Sequence, residues 1–140
     1  MDLLFPPKCV ICQKVLSPGE FICPHCAREL SPTGGQSKQH GDFFDVCYSP
    51  FFYVSPLRES FLRFKFMGYS FYAPHFAKWM ADCLTGEDTS RFDCITWAPL
   101  HWWRKLHRDY DQAQLLALEV GKLLELPVVA TMKKKYRKRK

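Results

Sequence analysis

No stretch of this sequence approaches the roughly 18 consecutive apolar residues that suggest a membrane span, so none is expected. The first residues, Met1-Asp2-Leu3-Leu4-Phe5-Pro6-Pro7-Lys8, lack a basic leader and hold far too short an apolar run for a secretory signal. A cytoplasmic address is the resulting expectation. No internal repeat of domain size is present. A charge excess spread along the chain is missing too. The formal net charge is +6, but Lys133–Lys140 hold seven of the 20 basic residues. The remainder has 13 basic residues against 14 acidic, a balance of −1. The chain therefore reads as a nearly neutral globule with a basic end, not as a domain that is basic throughout. With 47% apolar and 16% aromatic residues it is not a disordered chain.

What is present is cysteine, seven in all, four of them in two pairs. An odd count, a missing signal and this clustering argue against a secreted disulfide scaffold. The pairs are Cys9-Val10-Ile11-Cys12 and Cys23-Pro24-His25-Cys26. Each two-residue spacing puts two thiolates on one side of a tight loop. Two such loops supply four soft ligands, the tetrahedral set that structural zinc prefers at about 2.3 Å. Ser17-Pro18-Gly19-Glu20 is turn-rich and lets the chain reverse between them. Four protein ligands leave no position for water, so the expected Zn2+ is structural. Other readings of the same thiols are two disulfides or a rubredoxin-like iron site, and His25 is a possible competitor of Cys26 as fourth ligand. The isolated Cys47, Cys83 and Cys94 are expected to be buried apolar residues.

Four segments are expected: a zinc ribbon over 1–30, a linker over 31–45, a body over 46–132 and a basic tail over 133–140. The polar Gly/Ser/Pro composition of 31–42 marks the linker. Val46–Val54 suggests strand, confined to an edge or to two pieces by Pro50. Leu57, Phe61 and Phe64 make one helical face, ending at Gly68. Phe76, Trp79, Met80, Cys83 and Leu84 make a second, with Pro74 in its first turn and Gly86 at its end. Phe92–Pro99 reads as a buried strand. After it comes a loop with His101, Trp102, Trp103, Arg104, Lys105, His107 and Arg108. Asp111 and Gln114 then form a capping-box pattern before a stripe of Ala113, Leu116, Ala117, Val120, Leu123 and Leu124. Leu126–Ala130 suggests a further strand. Helices alternating with β-rich runs imply an α/β body. Arg104, Lys105 and Arg108, beyond a strand end and before a capped helix, suit phosphate or pyrophosphate. The alternative for these three is a solvated surface loop.

Several blocks, in order, resemble the ComF family, amidophosphoribosyltransferase-like proteins linked to competence and DNA uptake. The four-cysteine ribbon is similar to the family's zinc module. Phe64-Lys65-Phe66-Met67-Gly68 is similar to its Lys-aromatic-x-Gly block. Asp93-Cys94-Ile95-Thr96-Trp97-Ala98-Pro99-Leu100 is similar to its strand ending in Val-Pro-Leu. Arg108-Asp109-Tyr110-Asp111-Gln112-Ala113 is similar to its Arg-Gly-Phe/Tyr-Asn-Gln-Ala block. The resemblance covers most of residues 8–132. It implies a type I phosphoribosyltransferase-like (Rossmann-like) domain behind the ribbon, incomplete here. Ala98 stands for the usual Val, Asp109 for Gly and Asp111 for Asn. The family's Asp-Asp-x-x-Thr-Thr-Gly loop, which cradles the ribose phosphate of phosphoribosyl pyrophosphate, is absent from this sequence. The chain is therefore expected to be a shortened relative without transferase activity. Expected partners are single-stranded DNA or proteins of the competence machinery, with a phosphorylated small molecule as ligand of intact relatives. The alternative expectation is a zinc-ribbon module that binds nucleic acid or protein.

Overall fold

Two tight turns and a short helix come first among the described residues. In this computed structural model residues 6–34, 38–100 and 110–133 are described. The chain divides into two compact units, Met1–Arg63 and Phe64–Lys140. The division falls inside the helix Leu57–Phe66.

In the first unit, Lys8 and Val15 form an antiparallel bridge around the first cysteine pair. The turn closes through Gln13 N–H to Cys9 C=O at 2.8 Å and Cys9 N–H to Lys14 C=O at 2.8 Å. Gly19 turns the chain back with φ +88°, a conformation that costs glycine little. Val10 N–H then donates to Phe21 C=O at 2.9 Å, joining the two cysteine loops. The second pair opens α1 (Pro24–Glu29), with Cys23 as N-cap and a proline in the first turn.

Within the polar stretch expected as linker, residues 38–41 form one arm of a hairpin. β1 (Lys38–Gly41) pairs antiparallel with β2 (Phe44–Tyr48), with a register irregularity between Gln39 and Gly41. Nearer the base, Pro32 bridges Phe51, Thr33 N–H donates to Pro50 C=O and Phe52 N–H donates to Ser31 C=O. Thr33 is buried, and its hydroxyl donates to Ser49 C=O. Composition misreads this stretch because its strand character is supplied by the partner's carbonyls and N–H groups, not by its own side chains. Pro50 does divide the β-rich run: β2 ends at Tyr48 and only a single bridge follows.

α2 (Leu57–Phe66) follows. A short 3-10 turn, Ser70–Tyr72, leads into α3 (Ala73–Asp82), with Pro74 in its first turn. α4 (Gln112–Leu124) packs on α3. Phe64, Tyr72, Ala73, Phe76, Ala77, Leu116, Ala117 and Val120 form the buried core of this second unit. Its rings meet at edges, as quadrupoles favour: Phe64 on Phe76 at 5.4 Å and Tyr72 on Phe76 at 5.8 Å between centroids. The apolar stripes are broader than the core. Met80 and Leu123 face solvent.

Phe92–Pro99 is not a buried strand. Asp93, Cys94, Thr96 and Ala98 are exposed, and Ile95 alone forms a parallel bridge, to Val128. The bridge rests on Ile95 N–H to Pro127 C=O at 2.8 Å and Val129 N–H to Ile95 C=O at 2.9 Å. A parallel strand is buried only where both its faces are covered, and among the described residues this pair has no third strand. Gly121 allows the return after α4 to pass close by: a Cβ there would collide with Val128 Cγ2 and reach Leu126 O at 3.0 Å. A Rossmann-like sheet is not seen among the described residues; their one sheet has two antiparallel strands. No described helix is long and apolar enough to cross a membrane.

Candidate metal centre

The sulfurs of Cys9, Cys12, Cys23 and Cys26 all lie within 4.8 Å of one another. Cys12 Sγ and Cys23 Sγ are 3.8 Å apart. Four sulfurs about 2.3 Å from a central ion would stand about 3.8 Å from each other, so the spacing fits a tetrahedral site. It does not fit disulfides, whose sulfurs lie about 2.0 Å apart, and all seven cysteines are free thiols.

Each cysteine loop aims its backbone at the sulfurs. Cys23 N–H donates to Cys9 Sγ and Cys26 N–H to Cys23 Sγ, both at 3.4 Å. Cys9, Cys23 and Cys26 are buried, and Cys12 is exposed. Burial pushes the Cys9 thiol up, but N–H groups of Cys12, Cys23 and Ile11, with the Cys12 side chain, outweigh it and bring it to about 7 from 9.0. The Cys26 thiol is raised, first by burial, then by the Cys23 and Cys12 side chains and by the charge of Cys9. One thiolate is thus favoured here and a second resisted. Four together need a cation, and binding one displaces the remaining protons.

His25 stands outside the cluster. Its Nε2 lies 3.7 Å from Glu29 Oε1 one turn along α1, with the side chain 73% exposed, so Cys26 is the fourth donor. The other cysteines correct the expectation of burial: Cys47 and Cys94 are exposed and Cys83 is half-buried. A lone thiol carries too little apolar surface for its sequence neighbours to fix which side of a strand or loop it takes.

Two residues that sequence reasoning passed over hold the first loop from α2. The buried Ser60 hydroxyl donates to Val10 C=O, and Arg63 Nη2 donates to Ile11 C=O. Their trace in the sequence is faint: Ser60 is a small polar residue within the Leu57–Phe61–Phe64 stripe, and Arg63 stands three residues on.

Among the candidate phosphate residues, Arg104, Lys105 and Arg108 lie outside the described residues, as does most of the basic end. The helix start beside them is described. Asp111 is buried; its Oδ1 accepts from the N–H groups of Ala113 at 3.1 Å and Gln114 at 3.2 Å. Its Oδ2 accepts from Leu100 N–H at 3.0 Å. Tyr110 OH donates to Phe64 C=O, and Gln112 Nε2 donates to Lys65 C=O at 3.1 Å. Tyr110, Asp111 and Gln112 therefore seat the start of α4 against the end of α2 and the end of the 92–100 segment.

The family model for a double zinc ribbon domain matches residues 1–38. The matched stretch holds four cysteines, the ligands of one site. With the clustered sulfurs, this fits structural zinc and favours it over iron. No curated protein and no solved structure matches the chain.

Proposed function

We propose that this chain is a zinc-ribbon interaction module that binds single-stranded DNA. The closed four-cysteine set carries the reading: with four thiolates on one ion, no position is left for a catalytic water, so the ribbon serves as a scaffold. Charge supplies the partner class. Seven of the residues in Lys133–Lys140 are basic and suit phosphates without sequence preference. The hairpin of the first unit adds aromatic faces, with Phe43 at its turn fully exposed and Phe44 about half exposed. A labelled oligothymidine followed by fluorescence anisotropy tests this. Affinity should fall steeply between about 50 and 200 mM salt, and deletion of 133–140 should remove most of it and flatten the salt dependence. Phe43→Ala should cost about 1–3 kcal/mol without changing the salt slope. Binding insensitive to both changes counts against the reading.

A second reading, ComF-type with a partial phosphoribosyltransferase-like domain over 46–132, is favoured by one local arrangement. The segment around Ile95, α4 and the segment around Val128 follow as extended–helix–extended with a parallel bridge, the connectivity of an α/β unit. On this reading Arg104, Lys105 and Arg108 would hold the pyrophosphate side of a ligand, and the link to DNA uptake would follow. Saturable binding of pyrophosphate that Arg104→Ala abolishes would favour this reading over the first.

A further inference from the structure

α2 reaches the metal site from far along the chain. Ser60 is fully buried, and its hydroxyl donates to the carbonyl of Val10; Arg63 donates to the carbonyl of Ile11. Val10 and Ile11 are the two residues between Cys9 and Cys12, and both are buried. These two hydrogen bonds therefore fix the peptide planes that set the bite of the first cysteine pair. We propose that Ser60 and Arg63 are positioning residues for zinc, so that metal affinity depends on α2 and the N-terminal part of α2 depends on the metal.

Two physical arguments support the assignment. Groups that orient metal ligands without touching the metal commonly change its affinity about 10- to 100-fold when removed. Charge points the same way. Zinc with four thiolates carries a net charge of about −2, so a guanidinium held on the adjacent loop offsets part of it. The Arg63 Nε is buried with no hydrogen-bond partner among the described residues. Coupling of this kind is reciprocal: whatever α2 adds to zinc binding, zinc must return to α2 by the same factor.

The inference rests on zinc filling the four-cysteine cluster and is independent of any nucleic-acid partner. The test measures zinc affinity of the full chain by competition with a chromophoric chelator, alongside hydrogen exchange with and without zinc. Ser60→Ala and Arg63→Gln should each weaken zinc about 10-fold or more. Arg63→Lys, which keeps the charge and a donor, should recover part of the loss. In the unsubstituted chain, zinc removal should speed amide exchange over 57–63 while α4 keeps its protection. That last measurement needs no variant to fold. Zinc affinity within about twofold of the unsubstituted chain in both Ser60→Ala and Arg63→Gln, or unchanged exchange over 57–63, overturns the inference. Failure of the unsubstituted chain to bind zinc would overturn the metal site itself along with it.

Discussion

The two units are built by different forces. In the first, the buried apolar residues among those described are Cys9, Val10, Ile11, Cys23, Cys26 and Leu30. Three of the six are metal ligands, so without an ion this core would bring together thiols that resist sharing charge. In the second, Phe64, Tyr72, Phe76, Leu116 and Val120 close an apolar core between helices. A full burial there is worth about 1.5–3 kcal/mol per large side chain. One unit is fastened by coordination bonds that form or fail together. The other is held by many small increments that degrade by degrees.

Metal removal separates them most sharply. Structural zinc contributes about 10–16 kcal/mol in finger peptides at neutral pH. A strong chelator should therefore unfold residues near 8–30, with loss of one zinc per chain in native mass spectra, while amides of α3 and α4 stay protected. Equal loss of protection in both units would break the comparison. Lowering the pH should act like the chelator on the first unit, because protons compete for the thiolates.

Phe76→Ala is the counterpart in the second unit. The ring is 4% exposed and meets Phe64, Tyr72 and Trp79. Its loss should cost about 3–5 kcal/mol, read as a lower denaturant midpoint for α3 and α4. Zinc affinity should not move.

Asp111→Ala should have a smaller effect. It removes an N-cap, about 0.5–2 kcal/mol, and leaves Leu100 N–H without its acceptor. Asp111→Asn should recover most of the loss, since the amide oxygen can still cap. A thermal melt of the three proteins ranks them, and an Asn variant as damaged as Ala would show that the charge matters more than the cap.

The smallest effect is expected from His75 on α3, whose pKa burial lowers below 6.5. The unfolded chain then binds the proton more readily than the folded one. The contribution to stability is complete above about pH 6.5 and is lost as pH falls through the folded value. The ring is only half-buried, so the slope is shallow. His75→Gln should flatten it in denaturation midpoints taken at neutral and acidic pH.

The same contrast governs how much could be read from the chain itself. The zinc donors were legible because each pair sits within four residues and the chemistry of thiolates leaves few alternatives. The three main helices were legible from apolar spacing, with starts at Pro56-Leu57, at Pro74 and after Asp111. The hairpin arm over 38–41 was not, because Lys38, Gln39, His40 and Gly41 carry no strand signal of their own and are ordered by pairing with β2. Nor was the exposure of Cys47 and Cys94, or the meagre pairing of the segment around Ile95, since burial depends on what else covers a strand.

The sequence by itself therefore determined the ligand set, the loops that carry it and the helical faces, all encoded by residues a few positions apart. Only the tertiary structure decided which backbone groups those elements would find. It placed Ser60 and Arg63 on the carbonyls of Val10 and Ile11, Asp111 on Leu100, and Ile95 beside Val128. The physical reason is that a free carbonyl or N–H accepts any complementary partner within reach. Which partner arrives depends on the path of the whole chain, and local spacing does not contain it.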